Sequence, residues 1–391
     1  MLPEVISAMQ PFWSERFGNP SSAHTSGQVS RAAVERARAS VAGLLHCTPR
    51  EIVFTSGGTE GDNIALSGVL QSHLDRWLAR QEPVHLITTA IEHHAILFTA
   101  ESLQRRGVEV TYLSPNRDGT ILPDDLSAAL RPHTRLVSVM LANNETGAIQ
   151  PVGKLARIAK AHGALVHTDA VQAAGKLPID LSGEFKNVDL LTLSGHKMYG
   201  PQGTGALFVR KGVALAPLFF GGPQERQRRA GTENVPGIVG LGCAAELARS
   251  WLAAEGPDHM RAMRDRLESG LLAAIPGANV NAAAAPRVPN TVNLRIDGID
   301  AERLLIALDL QGISASFGAA CQSGATEPSH VLLAMGLTPA EARASIRLSL
   351  SRLTSQQEID VALDIIPAAV RRLRSLGQSR HTAPQDGLLA R

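Results

Sequence analysis

The chain has 391 residues, with 38 Lys and Arg against 36 Asp and Glu, for a formal charge of +2. That balance gives no general attraction to nucleic acid or to an anionic lipid surface, so neither is expected as a partner. Hydrophobic residues at 44% and charged residues at 19% fit a globular chain of two domains, and no uncharged apolar run approaches the roughly 18 residues that would span a bilayer. The first residues do not follow the basic-then-apolar order of a secretion signal. Three widely spaced cysteines make no disulfide framework, and a reducing, cytoplasmic setting is expected.

In chain order, short β-branched runs at 51–55, 84–88, 109–113, 136–141, 164–168, 189–193 and 206–209 predict strands. Ala- and Leu-rich stretches such as 155–162 lie between them. Alternation of this kind implies mostly parallel pairing with helices on both faces. Beyond about residue 254 the pattern changes. It predicts a helix over 259–274, a strand over 291–295, a helix over 301–311, a Gly/Ala/Ser-rich stretch over 316–327, a strand over 345–350 and a last helix over 355–376. The division expected is a large domain at 13–253, a smaller α+β domain from 1–12 and 254–376, and a loose tail at 377–391.

In open α/β sheets, ligands bind beyond the carboxyl ends of the strands. There the first predicted strand runs into Ser56-Gly57-Gly58-Thr59-Glu60-Gly61-Asp62-Asn63, a Gly-rich turn opening a helix. Such a turn offers backbone N–H groups and a positive dipole end to a phosphate. It has no Gly-Lys-Ser/Thr ending, which disfavours a nucleoside triphosphate. The next strand ends lead to Glu92-His93-His94, to Asn143-Asn144-Glu145, to Asp169 with Gln172 one helical turn later, and to Ser194-Gly195-His196-Lys197. Each has a plainer reading: a tight turn, a core histidine, a helix-capping aspartate, a solvated lysine. Their coincidence on one rim is what weighs against those. A phosphate cradle, an amine, a carboxylate and an imidazole together suit pyridoxal phosphate. The amine condenses with its aldehyde, the carboxylate keeps its pyridine nitrogen protonated, and the imidazole stacks and moves protons.

With these residues in view, the chain resembles the cysteine desulfurases, in the nitrogen-fixation and iron–sulfur-cluster branch of the class-V aminotransferases. The resemblance runs from Gly18-Asn19-Pro20-Ser21-Ser22 to about Leu353. It rests on Phe54-Thr55-Ser56-Gly57-Gly58-Thr59-Glu60, Ala142-Asn143-Asn144-Glu145-Thr146-Gly147, His167-Thr168-Asp169-Ala170-Val171-Gln172 and Ser194-Gly195-His196-Lys197. Arg229-Ala230-Gly231-Thr232-Glu233-Asn234, Glu327-Pro328-Ser329-His330 and Ser345-Ile346-Arg347 complete the series in family order. The chain departs from the family's usual residues at Phe317 and Pro223 without losing a catalytic group.

The resemblance implies a type-I pyridoxal-phosphate transferase fold: a large domain with a mostly parallel seven-stranded sheet, and a smaller α+β C-terminal domain. It implies Lys197 as the Schiff-base lysine, Asp169 on the pyridine nitrogen, Gln172 on the ring hydroxyl and His93 stacked on the ring. Gly58, Thr59, Ser194 and His196 would hold the phosphate, with Thr232 reaching it from the other subunit of a homodimer. Arg347 would pair with the carboxylate of substrate L-cysteine, a role suited to its planar fork, and Asn144 would assist. Cys47 and Cys243 sit in apolar helical patterns and read as buried small hydrophobes. Cys321 lies in Gly318-Ala319-Ala320-Cys321-Gln322-Ser323-Gly324-Ala325, too small and flexible to pack firmly, and reads as a nucleophile. By resemblance it takes sulfur from L-cysteine as a persulfide, releases L-alanine, and passes the sulfur to an acceptor such as an iron–sulfur scaffold. A selenocysteine lyase or aminotransferase on the same fold, or a truncated accessory subunit, remain as alternatives.

Overall fold

The structure is a computed structural model that describes residues 1–80, 82–318 and 327–381, with the side chains of 72–80 and 377–381 outside the description. It divides into two units: 1–144, 148–257 and 285–288 form the first, and 145–147, 258–284 and 289–391 the second. Residues 1–12, expected with the small domain, belong to the first unit. The helix Pro3–Met9 buries Val5 and Met9 with Ala244 of the helix Val235–Ala253, and Leu2 N–H donates to Tyr199 O at 3.1 Å. Its apolar face has its partner there, which is why it does not follow the C-terminal elements.

The first unit is built on a seven-stranded sheet. Its strands are β1 (Ile52–Thr55), β2 (His85–Thr89), β3 (Glu109–Leu113), β4 (Thr134–Ser138), β5 (Leu165–Asp169), β6 (Leu190–Ser194) and β7 (Gly205–Val209), in the spatial order β1-β7-β6-β5-β4-β2-β3. Pairing is parallel from β6 through β5, β4 and β2 to β3; β7 runs antiparallel to both β1 and β6. Period-2 side chains go to opposite faces. Ile52, Phe54, Ile87, Val137, Val166 and Leu191 join one apolar cluster, while Val53, Leu86, Leu136, Leu190 and Leu207 join another. A sheet buried on both faces needs such continuous apolar strands.

Strands β2, β5 and β6 end one residue later than the sequence pattern predicts, so Asp169 and Ser194 are the last residues of β5 and β6 rather than the first beyond them. Ladder pairing of β4 stops at Ser138 rather than 141. Val139 and Leu141 still donate to His167 O and Asp169 O, at 3.1 and 2.8 Å, without a regular register.

In the second unit, β8 (Ala278–Val280), β9 (Thr291–Ile296) and β10 (Ser345–Ser349) form an antiparallel sheet in the order β10-β9-β8. Its apolar face (Val292, Leu294, Ile296, Ile346) packs with Leu267 and Leu271 of the helix Gly256–Ala274, Leu304 of the helix Ala301–Asp309, and Ile366 of the helix Gln356–His381. Strand β8 escaped the sequence reading because its three residues are too few to show a period.

Candidate active site

The register of β7 assembles the rim. Gly205 pairs with Thr55 at the end of β1 and with Ser194 at the end of β6, so these two carboxyl ends flank one residue. A side chain there would not fit: an added Cβ would lie 2.6 Å from Leu193 O and 2.8 Å from the Gly57 backbone. Beyond β1 the helix Gly58–Arg80 opens. An added Cβ at Gly58 would stand 2.8 Å from Val171 Cγ2 and 3.8 Å from Ser194 Cβ, which sets the helix start against the turn after β5 and the end of β6. Glu60 fixes this turn. Its carboxylate accepts from Ser56 N–H at 2.9 Å and pairs with Arg229 at 2.8 Å. Burial pushes its pKa up, but these bonds outweigh burial and hold it below the usual value.

On β6, Ser194 Oγ lies 2.9 Å from His196 Nδ1. The His196 pKa is lowered, first by burial and then by the nearby Lys197 and Lys176 cations. Asp169 is buried and accepts from Val171 N–H at 2.8 Å. Burial pushes its carboxyl up to about 6, against the opposing pull of the Val171 N–H and the Lys197 charge. Lys197, in the short helical turn Gly195–Met198, is therefore within electrostatic reach of both Asp169 and His196. Gln172, half-buried, accepts from Lys176 Nζ at 3.2 Å through its side-chain oxygen.

Beyond β2, half-buried His93 caps the helix His94–Gln104: its Nδ1 accepts from Ala95 N–H at 3.1 Å, so the neutral ring carries its proton on Nε2. Asn143 Nδ2 donates to Ile91 O at 3.0 Å, tying the segment before half-buried Asn144 to the one before His93. Thr59 and Thr232 are exposed. Thr232 borders a cavity of about 140 Å³ together with Ser56, Thr204, Glu225 and Arg229. Arg347 belongs to the second unit, half-buried on β10, where its backbone N–H bonds to Ser316 O and it pairs with Asn293. Cys321 lies outside the described residues. Cys47 and Cys243 are partly rather than fully buried; burial pushes the Cys47 thiol up to about 12 and the Cys243 thiol up as well, which keeps both protonated.

Behind the rim stands a set of buried groups to which the sequence reading gave no role. Glu92 Oε1 accepts from Thr89 Oγ1 and from Met140 N–H, both at 2.8 Å. Burial, and then repulsion from Asp169, push its carboxyl up to about 8. Asp62 is raised well above the usual range, chiefly by burial and next by Asp169. His167 sits between Ser138 Oγ at 2.9 Å and Thr192 Oγ1 at 3.0 Å, and burial drops its pKa to about 3, so the ring is neutral. With Glu92 protonated, His167 neutral and the Asp62 carboxyl pushed upward by burial and by Asp169, Asp169 is the group of this set that favours its charged form at neutral pH.

The arrangement fits pyridoxal phosphate. A carboxylate beside an amine suits the cofactor's ring nitrogen and aldehyde. The helix start with Ser194 and His196 suits a phosphate, and a Cβ added at Gly57 would fill the space 3.9 Å from Ser194 Oγ.

The chain belongs to the aminotransferase class-V family, which it matches over residues 1–361, and members of this family depend on pyridoxal phosphate. Among its curated relatives is the cysteine desulfurase of Trichormus azollae, 48% identical over 374 residues that cover 96% of this chain and 91% of that protein. A solved structure of a NifS-like protein superposes with a TM-score of 0.87 at 37% identity, covering 95% of this chain and 97% of that one. The structure of SspA in complex with cysteine gives a TM-score of 0.78 at 35% identity, over 91% of this chain and 97% of that one. Among the described residues no helix is long and apolar enough to cross a membrane.

Proposed function

We propose that this protein is a cysteine desulfurase that converts L-cysteine to L-alanine and carries the sulfur as a persulfide on Cys321. The observation that supports it most is the Lys197 amine within reach of the buried Asp169 carboxylate, on a rim that also offers a phosphate cradle. Lys197 holds the cofactor aldehyde and Asp169 its ring nitrogen; Gly58, Thr59, Ser194 and His196 hold its phosphate, Gln172 its ring hydroxyl, and His93 stacks on the ring. When bound, the cofactor withdraws electrons from the amino acid and weakens its bonds.

Arg347 and Asn144 bind and orient the substrate carboxylate. The Cys321 thiolate then attacks the substrate sulfur. An S–S bond forms as the carbon–sulfur bond breaks, and the electron pair left on carbon takes up a proton to give alanine. His93, whose neutral ring keeps a proton on Nε2, is suited to moving protons there.

The sulfur passes from Cys321 to an acceptor protein, with iron–sulfur cluster assembly as the destination. A cytoplasmic homodimer is the working form. Thr232 reaches the phosphate of the neighbouring subunit, and Phe219 and Phe220, exposed at 47% and 87%, are apolar surface for a second copy to cover.

The test is alanine and sulfide production from L-cysteine by the parent and by Cys321→Ser, with the protein's visible spectrum recorded alongside. The serine variant is expected to keep the bound-cofactor absorbance and lose turnover by orders of magnitude, because a serine hydroxyl is barely ionised at neutral pH and makes no persulfide. Undiminished alanine and sulfide from the variant would remove Cys321 from the reaction.

A further inference from the structure

A second lysine is buried beside this site. After β5 the chain makes one tight helical turn: Ala173 and Ala174 N–H donate to Ala170 O at 2.9 and 2.8 Å, and Lys176 N–H to Ala173 O at 3.0 Å. Gly175 closes it with φ of 74°, a left-handed conformation, and an added Cβ would lie 3.0 Å from Met198 Cγ. The turn folds Lys176 back over Gln172. Its Nζ, on a residue only 7% exposed, donates to the Gln172 backbone oxygen at 2.9 Å and to the Gln172 side-chain oxygen at 3.2 Å. Its charge also reaches His196, where it helps to lower that imidazole's pKa.

Burying an ammonium is costly unless it is bonded, and an ammonium only donates. The atom of the Gln172 amide that faces Lys176 is therefore its oxygen. The opposite orientation would set two donors against each other. A planar amide turned with its oxygen to the ammonium carries its N–H groups on the opposite side, where they can meet a ligand.

We propose that Lys176 is a positioning residue for the cofactor: it holds the Gln172 amide by its oxygen, so that Gln172 presents an N–H donor to the cofactor's ring hydroxyl oxygen. This rests on the cofactor reading above and deepens it. A donor there favours the deprotonated form of the ring oxygen and disfavours ligands that lack an acceptor at that position.

The test is affinity rather than activity. Apoprotein of the full chain is titrated with pyridoxal phosphate, with its 3-deoxy analogue, which lacks the ring hydroxyl, and with pyridoxal, which lacks the phosphate. Lys176→Met keeps most of the side-chain bulk and removes the ammonium. It is expected to weaken pyridoxal phosphate and pyridoxal by about tenfold while changing the 3-deoxy analogue by less than about twofold.

Equal loss for pyridoxal phosphate and the 3-deoxy analogue would overturn the proposal. So would a loss confined to the two phosphate-bearing ligands, which would assign Lys176 to the phosphate instead. Parent apoprotein that binds none of the three would overturn the cofactor reading itself. Should Lys176→Met fail to fold, Gln172→Glu serves, because it leaves Lys176 in place and removes the N–H. It is expected to weaken pyridoxal phosphate by at least about tenfold and to spare the 3-deoxy analogue, and equal loss for both again overturns the proposal.

Discussion

Replacing Glu92 by Gln should make the protein's stability less sensitive to pH. Glu92 is wholly buried, and its pKa rises from an ordinary 4.5 to about 8, through burial first and repulsion from Asp169 besides. A group whose folded pKa is raised holds its proton more tightly when folded. Its stabilising contribution is complete below the unfolded pKa and is lost as pH climbs through the folded one. For Glu92 the loss begins near 4.5 and ends a little above 8. Gln keeps an oxygen where Glu92 Oε1 accepts from Thr89 and Met140, carries no titrating proton, and resembles the protonated acid. Between about pH 5.5 and about pH 8, the stability of Glu92→Gln relative to the parent should therefore grow by about 3 kcal/mol, from the 1.36 kcal/mol carried by each pKa unit. Urea titrations of both apoproteins at the two pH values, followed by far-ultraviolet circular dichroism, give that difference, and titrations shared by the two proteins cancel in it. Parallel curves for variant and parent would mean that Glu92 is ionised in the native state throughout. The picture of Asp169 as the charged member of the buried set would then be wrong.

Two further expectations concern the rim and the second unit. Lys197→Ala should abolish borohydride-fixable cofactor, since Lys197 is the amine within reach of Asp169; mass spectrometry that found the reduced cofactor on Lys176 instead would reverse the roles of the two lysines. Arg347→Ala should raise KM for cysteine by about ten- to a hundredfold, the equivalent of a charge-assisted bond of about 1.5–3 kcal/mol, and leave cofactor affinity within about twofold. Equal losses of substrate and cofactor, measured by steady-state kinetics and by cofactor titration, would make Arg347 a structural residue.

The rim was legible in the sequence because each of its members is announced locally. A β-branched run stops, and a glycine, a capping residue or a polar side chain follows within a few positions, as at Thr55-Ser56-Gly57-Gly58 and Ser194-Gly195-His196-Lys197. The mostly parallel sheet was legible for a related reason, since long helical stretches separate most of the strands, whereas the short Gly-rich return from β6 leaves room only for the antiparallel β7. The one-residue offset of the strand ends is a matter of ladder bonds: Asp169 still pairs with Thr192, and no side-chain pattern records where pairing stops.

The groups behind the rim were illegible because their environment is made by strands far apart in sequence. His167 is neutral because it is buried, with Ser138 and Thr192 of the strands on either side at its two nitrogens, an arrangement fixed only once β4, β5 and β6 are in register. Lys176 and Glu92 look like solvated charges in the sequence. Burial reverses that reading, and it reverses it differently for the two. Lys176 lies one helical turn from Gln172 and finds acceptors there that suit a cation, whereas Glu92 meets the like charge of Asp169 and keeps its proton. Asp169 therefore retains its negative charge between protonated Glu92 and the Lys197 ammonium, the condition a ring nitrogen needs if it is to stay protonated at neutral pH.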